Sequence, residues 1–459
     1  MLRPDVVERV LNKALARGAD FAEVFVEDRQ NTTLTYVDKT IDSINNGRDY
    51  GLGLRLIKGF EVIYAYTSDL SETNLLHVAE QTANAFQDEQ KTGVLAFNSL
   101  PRGTNIEIEV DPFSIALKKK LALAKQAYGA ALDYDDVIAQ ARVTYLDHKQ
   151  NVLIANSEGL WVEDERVRTR FAVNAIANQN GEMQTGNYAP GASMGFEFFD
   201  HYDVEEIARE AARIAKVMVT ADYAPSGSMP VIMDNGFGGV LFHEACGHGL
   251  EASFVSKGTS VYTGKLGQQV ASPLVTAIDD GTLRNEWGTL NYDDEGTRTQ
   301  RNVLIEQGVL KSYLVDRLNG KRMGHESTGS ARRQSYRFAP TSRMNNTYID
   351  NGDSTREEII QATEFGLYAR SLGGGSVDIT TGEFNFAVME GYLVENGEIT
   401  KPVRGASLIG TGLEVIQRID MVGNDRTFGQ GMCGASSGSL PCDVGQPPLR
   451  VSKLTVGGR

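Results

Sequence analysis

Several residue types are scarce in this 459-residue sequence, and each scarcity excludes a class of protein. Three cysteines cannot form a disulfide framework, and this low, odd number is typical of a reducing compartment. Twelve prolines are too few for a long proline-rich disordered tail. No run approaches the roughly 18 apolar residues of a membrane-spanning helix, and residues 1–15 interleave charged with apolar side chains, unlike a secretory signal. We therefore expect a cytoplasmic protein with no membrane partner.

Positive charge is also in deficit. Lysine and arginine number 45 against 60 aspartates and glutamates, which gives a formal net charge of −15. A surface with this balance repels a phosphate backbone, so we expect no nucleic-acid partner. Glycine, in contrast, is frequent (48 residues), and hydrophobic residues make up 41% of the chain, which indicates a globular protein with a sizeable core and many turns.

The spacing of apolar residues predicts an α+β fold of two domains. Pro225-Ser226-Gly227 interrupts the pattern, so we predict an N-terminal domain over 1–224, built from mixed α and β layers, and a strand-rich C-terminal domain over 225–459. Between strands, Asn45-Asn46-Gly47 and Asn396-Gly397 are predicted turns. The predicted helices of the N-terminal domain cover 2–15, 71–86, a segment after Asp111-Pro112, and 203–219.

Two of the six histidines lie in one short helical segment of the second half. His243, Glu244 and His248 form the pattern His-Glu-x-x-x-His. In short zinc-hydrolase motifs two imidazoles bind the metal, and the adjacent carboxylate takes a proton from water. A surface helix without metal is the alternative, although the apolar flank at 240–242 disfavours it.

The spacing of the two histidines constrains the geometry of this helix. Residues i and i+4 lie about 40° apart around an α-helix, whereas residues i and i+5 lie about 140° apart. His243 and His248 therefore converge only if the helix widens into a π-turn, or if it ends and turns after the first ligand. Gly247 and Gly249 flank His248 and permit either geometry.

Segment 239–251, Gly-Val-Leu-Phe-His-Glu-Ala-Cys-Gly-His-Gly-Leu-Glu, resembles the signature helix of the TldD/PmbA metalloproteases, and in particular that of the TldD-type catalytic subunit. The resemblance extends over essentially the whole chain and is most specific from residue 231 onward. Further agreeing segments are Arg332-Arg333 within 329–336, Pro-Thr-Ser-Arg-Met-Asn-Asn-Thr at 340–347, Gly-Gln-Gly-Met-Cys-Gly at 429–434, and 454–458.

This resemblance implies a zinc-dependent peptidase that cleaves small or unfolded peptides. By their position in the family pattern, His243, His248 and Cys433 would bind one Zn²⁺ per chain, and Glu244 would be the general base. Three protein ligands leave a fourth position for water, as in catalytic zinc sites. The resemblance also implies a dimer, formed either with a PmbA/TldE-type paralogue or with a second copy of this chain.

The other two cysteines have no role in the family pattern. We interpret Cys246, between the implied ligands, as a packing residue. Cys442 lies nine residues beyond Cys433, and it is either inert or a competitor for the metal.

Several polar residues of the second half have open roles. His325 and Tyr336 are candidate hydrogen-bond donors to a developing oxyanion. The acidic segment 293–295 is interpreted as a solvated turn, with a second metal site as the alternative. Three arginines can either hold a peptide carboxylate or pair with structural carboxylates: Arg332, Arg333 and Arg343.

Two competing functions remain open from the sequence. One is a non-catalytic interaction or regulatory protein in which the metal is structural, and the other is a zinc amidase that acts on small molecules. No Gly-x-Ser-x-Gly elbow and no Gly-Lys-Ser/Thr phosphate loop is present, which argues against a serine hydrolase and a nucleotide-driven enzyme.

Overall fold

The structure is a computed structural model that describes residues 1–378 and 380–458, and it has the expected α+β fold, with mixed layers followed by a strand-rich C-terminal part. The predicted boundary near residue 224 stays a prediction. The N-terminal helices are α1 (Pro4–Leu15), α2 (Glu72–Ala83), α3 (Leu117–Leu132), α4 (Phe198–His201) and α5 (Val204–Val219). The N-terminal strands are β1 (Phe21–Val37), β2 (Thr40–Lys58), β3 (Glu61–Thr67), β4 (Asn98–Ser99), β5 (Ile138–Asn156), β6 (Leu160–Gln179), β7 (Glu182–Tyr188) and β8 (Gly191–Ala192).

The N-terminal strands form one eight-stranded sheet with the order β3-β2-β1-β5-β6, in which β4, β7 and β8 also pair with β6. One face of this sheet packs against α1 and α2 at one end and against α3 and α5 at the other. Because successive side chains of a strand point to opposite faces, the second face carries a different set of residues. On that second face Phe25, Val152 and Val162 pack against Tyr292 and Tyr336 from the C-terminal part.

The N-terminal helices and turns show where sequence patterns are reliable. Asp203 caps α5 as predicted, because its carboxylate accepts the amide proton of Glu205 at 2.8 Å. The predicted turn at 45–47 is wrong, because these residues lie inside β2 and pair with β1 without interruption. The chain reverses instead at Asp38 and Lys39, whose φ angles are 49° and 62°.

The C-terminal part has short helices and many strands. Asn396 and Gly397, with φ angles of 54° and 79°, make the predicted hairpin turn between two of the strands. The helices are α6 (Val240–Phe242), α7 (Ala252–Val255), α8 (Arg317–Met323), α9 (Arg356–Gln361) and α10 (Gly412–Gln417). The strands are β9 (Asp222–Tyr223), β10 (Gly227–Met233), β11 (Ala277–Asp280), β12 (Arg301–Glu306), β13 (Val309–Leu310), β14 (Ala331–Arg332), β15 (Thr341–Ser342), β16 (Asn346–Ile349), β17 (Phe365–Val377), β18 (Glu383–Glu395), β19 (Glu398–Arg404), β20 (Ser407–Thr411), β21 (Ile419–Val422), β22 (Thr427–Ala435), β23 (Gly438–Gln446) and β24 (Leu449–Gly457).

Two C-terminal sheets enclose the largest core of the protein. One has the order β17-β10-β24-β20-β18-β19-β9 with β21 beside β24, and the other has the order β13-β12-β11-β16-β23-β22. Leu241 and Phe242 of α6 are buried in the core between these sheets, together with Val231 of β10 and Ile305 of β12. The histidine-bearing segment is thereby fixed between two sheets. Within the described residues, no helix has the length and apolar character needed to cross a membrane.

Candidate metal centre

The segment that carries the two histidines changes its helical register along its length. A 3₁₀ turn at 237–239 leads into α6, a π-helical turn follows from His243 to Gly247, and a further 3₁₀ turn covers His248–Leu250. The amide of His248 donates to the carbonyl of His243, five residues earlier. This widening brings the two imidazole centroids to 5.1 Å. Of the two geometries that the spacing permits, the protein therefore uses the widened helix.

Close packing around this segment requires glycine at two positions. A Cβ atom on Gly239 would lie 2.5 Å from the backbone nitrogen of Gly445 in β23. A Cβ atom on Gly247 would lie 2.3 Å from the sulfur of Met344. The glycines thus let the π-turn approach the sheet that carries the third residue of the site.

That third residue is Cys433 on β22, whose cross-strand neighbour on β23 is Leu440. Its Sγ atom lies 3.1 Å from Nε2 of His243 and 3.1 Å from Nε2 of His248. The three donor atoms lie within 4.8 Å of one another and belong to buried residues. In the described part of the chain, no second group of three His, Cys, Asp or Glu donors comes this close together. The structure therefore unites all three ligands that the family resemblance implied.

The electrostatics of this cluster favour a thiolate. A hydrogen bond from Cys442, together with the two imidazoles, holds the pKa of Cys433 far below its usual range. The same hydrogen bond and burial raise the pKa of Cys442 well above its usual range. Two imidazole nitrogens and one thiolate with convergent lone pairs match the donor preference of Zn²⁺ and other borderline-soft cations. The residues present therefore fit a bound zinc ion.

Glu251 and Arg343 support the cluster from behind. The Nδ1 atom of His248 lies 3.0 Å from Oε1 of Glu251, which is buried, and Nε of Arg343 lies 3.7 Å from the same oxygen. Arg343 also donates to the carbonyl of Cys433 at 2.6 Å. Although burial opposes it, the Glu251 carboxylate raises the pKa of His248 well above its usual value. The sequence analysis missed Glu251; its position three residues after His248, on the same helical face, was the available signal.

Glu244 lies on the accessible side of the cluster. Its side chain is 22% exposed, whereas the side chain of His248 is 7% exposed. Its Oε2 atom lies 3.8 Å from Nε2 of His248. A carboxylate in this place can reach both the ligand cluster and the solvent.

The other two cysteines lie outside the three-donor cluster. Cys246 is fully buried with its sulfur 3.9 Å from the carbonyl of Gly412, in agreement with a packing role. Cys442 lies 3.2 Å from the carbonyl of Met344 and 3.3 Å from a guanidinium nitrogen of Arg332. Cys442 packs against Cys433 and Leu440, so it is a neighbour of the three-donor cluster.

The two candidate oxyanion donors are placed elsewhere. Tyr336 packs in the interface with the N-terminal sheet, where its amide donates to Glu27 and its hydroxyl accepts from Arg337. His325 is exposed after α8, and its amide donates to the carbonyl of Gly320. The geometry therefore favours neither residue for that role.

The acidic segment 293–295 is buried, so the expectation of a solvated turn is wrong. Arginines from the N-terminal sheet supply the counter-charges: Arg166 reaches Asp294 at 2.6 Å, and Arg55 reaches Glu295 at 2.7 Å. Asp293 accepts the backbone amides of residues 295, 297 and 331. These acids join the two parts of the chain by buried ion pairs.

The three arginines with open roles differ in their partners. Arg333 pairs with Glu23 at 2.7 Å, and Arg343 is held by Glu251 and Cys433 as described above. Arg332 donates to the carbonyls of Met344 and Pro441.

Comparison with known proteins gives matches along most of the chain. The family models that match are the PmbA/TldA metallopeptidase domain 1 over residues 22–86, its central domain over 110–219, and its C-terminal domain over 226–458. The "Metalloprotease TldD homolog" of Haemophilus influenzae is 37% identical over 96% of this chain and 94% of its own length. The protein of the same name from Buchnera aphidicola subsp. Acyrthosiphon pisum is 35% identical over 98% of this chain and 95% of its own length.

Solved structures agree with the fold. A Thermotoga maritima protein, described as a candidate modulator of a DNA gyrase, superposes with a TM-score of 0.81 at 22% identity and covers 99% of both chains. TldE from Thermococcus kodakarensis superposes with a TM-score of 0.77 at 19% identity and covers 99% of this chain and 100% of its own. At these identities the two structures support the fold alone.

Proposed function

The chain belongs to the PmbA/TldA metallopeptidase family, and from this premise we propose that it is a zinc-dependent peptidase that hydrolyses small or unfolded peptides. The observation that carries the proposal is the convergence of His243, His248 and Cys433 beside a partly exposed Glu244. The family is named for metallopeptidase activity, and relatives that match over almost the whole chain are named metalloproteases.

The proposed ligands of one zinc ion are His243, His248 and Cys433. A closed structural zinc site has four protein ligands, whereas three ligands leave a position for water or substrate. Within the described residues, the cluster contains three such donors. This count favours a catalytic site over the alternative, a non-catalytic interaction protein with a structural metal.

The proposed mechanism assigns proton transfer to Glu244. When bound, zinc supplies Lewis acidity that polarises the scissile carbonyl and makes water a stronger acid. Glu244 accepts the water proton on a carboxylate oxygen and returns it to the leaving amine. His243, His248 and Cys433 hold the ion, and Glu251 fixes the ring orientation of His248 through Nδ1.

We also propose that the protein works as a dimer, with a TldE-type paralogue or with a second copy of itself. The proposal rests on membership of the PmbA/TldA family, whose resemblance implies such an assembly, and the chain shares its fold with TldE from T. kodakarensis. The mass of the protein in solution, alone and mixed with a paralogue from the same genome, separates the two assemblies from each other and from a monomer.

Elemental analysis of protein purified without added metal tests the site. We expect about one zinc per chain in the wild type, retention in Cys246→Ala, and loss in Cys433→Ala. Cys246→Ala is the matched control because it removes a buried cysteine that lies outside the cluster. A folded wild-type protein without metal would contradict the proposal.

Peptide cleavage tests the role of Glu244. Loss of a general base lowers the rate by about 10²–10⁴-fold, so Glu244→Gln should keep its zinc and its fold and lose cleavage by this factor. Unchanged cleavage by the zinc-loaded variant would refute the mechanism. Cleavage of peptides longer than a dipeptide separates a peptidase from an amidase that acts on small molecules.

A further inference from the structure

A cavity of about 310 Å³ lies between the second face of the N-terminal sheet and the β22–β23 hairpin. Arg166, Arg168 and Arg170 alternate along β6 and point to this face, opposite Gln150, His148 and Leu146 of β5. The opposite wall is made by residues of the C-terminal part, among them Trp287, Arg332 and Leu440. The volume is that of a small-ligand site.

The lining of this cavity is strongly cationic although the chain as a whole carries a net charge of −15. Six arginines line it, and Asp294 is the one carboxylate among the described lining residues. Three of the arginines have carboxylate partners, namely Arg29 with Asp49 at 2.5 Å, Arg166 with Asp294 at 2.6 Å, and Arg333 with Glu23 at 2.7 Å.

The other three arginines have no carboxylate within 4.0 Å in the described part of the chain: Arg168, Arg170 and Arg332. Their guanidinium groups donate to backbone carbonyls of residues 287 and 289, of 189 and 430, and of 344 and 441, respectively. Arg168 and Arg332 are only 3% and 2% exposed. A buried cation without a counter-charge is costly, so this excess favours an anionic ligand.

Two further observations agree with an anion site. Burial, together with Arg332 and Arg166, lowers the pKa of Arg168 to about 9. The guanidinium therefore stays charged at neutral pH, although its surroundings disfavour the charge. Burial, together with Arg168 and Arg29, also lowers the pKa of His148 well below its usual value. An anion in the cavity would relieve both effects.

We propose that this cavity binds a carboxylate group of the peptide substrate. Guanidinium groups match the planar carboxylate with paired hydrogen bonds. Met432 and Leu440, which line the cavity, are the chain neighbour and the cross-strand neighbour of Cys433, so the cavity adjoins the part of the β22–β23 hairpin that carries the proposed third ligand. The net charge of −15 disfavours polyanions such as nucleic acid. That the bound carboxylate belongs to a peptide follows from the proposed peptidase function, on which this part of the proposal rests.

Trp287 provides a direct binding signal. The chain has two tryptophans, so Trp161→Phe leaves Trp287 as the sole reporter, with its ring 5.4 Å from the guanidinium of Arg170. Glu244→Gln is added to keep the peptide intact. The probes are trialanine, trialanine amide and Ala-Ala-Glu amide, with binding followed by fluorescence and by calorimetry.

We expect trialanine to bind at least about tenfold more tightly than its amide, since charge-assisted hydrogen bonds are lost in the amide. If Ala-Ala-Glu amide binds more tightly than trialanine amide, the cavity also accepts the carboxylate of an acidic side chain. This result would support the proposed site. Equal dissociation constants for trialanine and its amide, or flat titrations by both methods, would overturn the proposal.

Arg170→Gln tests the site from the protein side. Arg170 is half-buried, so its replacement is tolerated better than that of Arg168, and thermal unfolding checks the fold. We expect about tenfold weaker trialanine binding in Arg170→Gln, recovery in Arg170→Lys, and no change in Arg142→Gln, which removes an exposed arginine of β5 that pairs with Asp42. Equal effects of Arg170→Gln and Arg142→Gln would overturn the assignment.

The two proposals fail separately. If the protein is no peptidase, wild-type protein cleaves neither trialanine nor its amide, yet the binding difference remains measurable. If the cavity binds no carboxylate, peptides are cleaved at equal rates with and without a free C-terminal acid.

Discussion

Replacement of Glu251 by glutamine should weaken metal binding without changing any proposed ligand. In the wild type, Oε1 of Glu251 lies 3.0 Å from Nδ1 of His248 and 3.7 Å from Nε of Arg343, and all three residues are buried. The glutamine keeps an oxygen acceptor of similar position and loses the negative charge. The variant therefore isolates the charge of the residue behind the ligand.

The structure sets the size of this effect. One charge-assisted hydrogen bond to a buried imidazole contributes about 1.5–3 kcal/mol, and each 1.4 kcal/mol is a factor of ten. This predicts about 10- to 100-fold weaker zinc binding, the range seen when residues behind metal ligands are replaced. Arg343 keeps its hydrogen bonds to Cys433 and Ser437, which limits the loss of folding stability.

The assay is competition for zinc between the protein and a chromophoric chelator, at fixed pH and with the fold checked by circular dichroism. Glu414→Gln is the matched control, because Glu414 is an exposed glutamate on α10, which packs against the π-turn. Zinc affinity of Glu251→Gln within twofold of the wild type would refute the reasoning. A wild type that binds no zinc would instead refute the proposed metal site.

Three further predictions concern stability. Gly239→Ala should lower the unfolding free energy by about 1–3 kcal/mol, because the new Cβ would lie 2.5 Å from the backbone of Gly445; an unchanged melting temperature would contradict this. Burial raises the pKa of Asp279 to about 6, so the stability contributed by its protonated form is complete below about pH 4 and lost as the pH rises to about 6. In denaturant titrations, the unfolding free energy of the wild type relative to Asp279→Asn should fall by about 3 kcal/mol over this pH window. A difference that does not change with pH would contradict this prediction. Lys120→Met should cost about 3–5 kcal/mol because the buried carboxylate of Asp147, 2.5 Å from Nζ, keeps the hydrogen bond from the Tyr145 hydroxyl but loses its counter-charge; Asp147 and Lys120 replaced together should recover part of the loss.

Local features of the sequence predicted local structure well. The Asp203 cap and the apolar spacing after it predicted α5, and the Asn396-Gly397 pair predicted its hairpin, because these signals depend on backbone preferences of a few neighbouring residues. The turn predicted at 45–47 failed because pairing with β1 overrides the local preference of Asn and Gly. The pairing of strands that are distant along the chain cannot be predicted from a few neighbouring residues.

Charge partners were invisible in the sequence for the same reason. Arg333 pairs with Glu23, which is 310 positions away, and Arg166 pairs with Asp294, which is 128 positions away. The burial of segment 293–295 follows from such pairs. Alternation of Arg166, Arg168 and Arg170 on a strand was a visible signal of a cationic face, although which part of the chain covers that face was not.

The candidate site was predicted in its residues and only in part in its geometry. The family resemblance named His243, His248, Cys433 and Glu244, and the structure brings them together. Helical geometry showed that a π-turn was one of two ways to unite the histidines. The sequence left the choice between them open, because the segment packs against β23 at Gly239, a contact between positions 206 residues apart that no short window contains.

The distance along the chain between the donor atoms would link the proposed metal binding to folding. Cys433 lies 185 positions from His248 and 190 from His243, so the donor set does not exist in the unfolded chain. An ion that binds only the folded form adds RT ln(1 + [M]/Kd) to the unfolding free energy, which is about 2.7 kcal/mol when the free ion is at 100 times its Kd. The ion would then act as a reversible crosslink between the histidine-bearing segment and β22. A newly made polypeptide would reach its full resistance to proteolysis only after it has bound the metal ion.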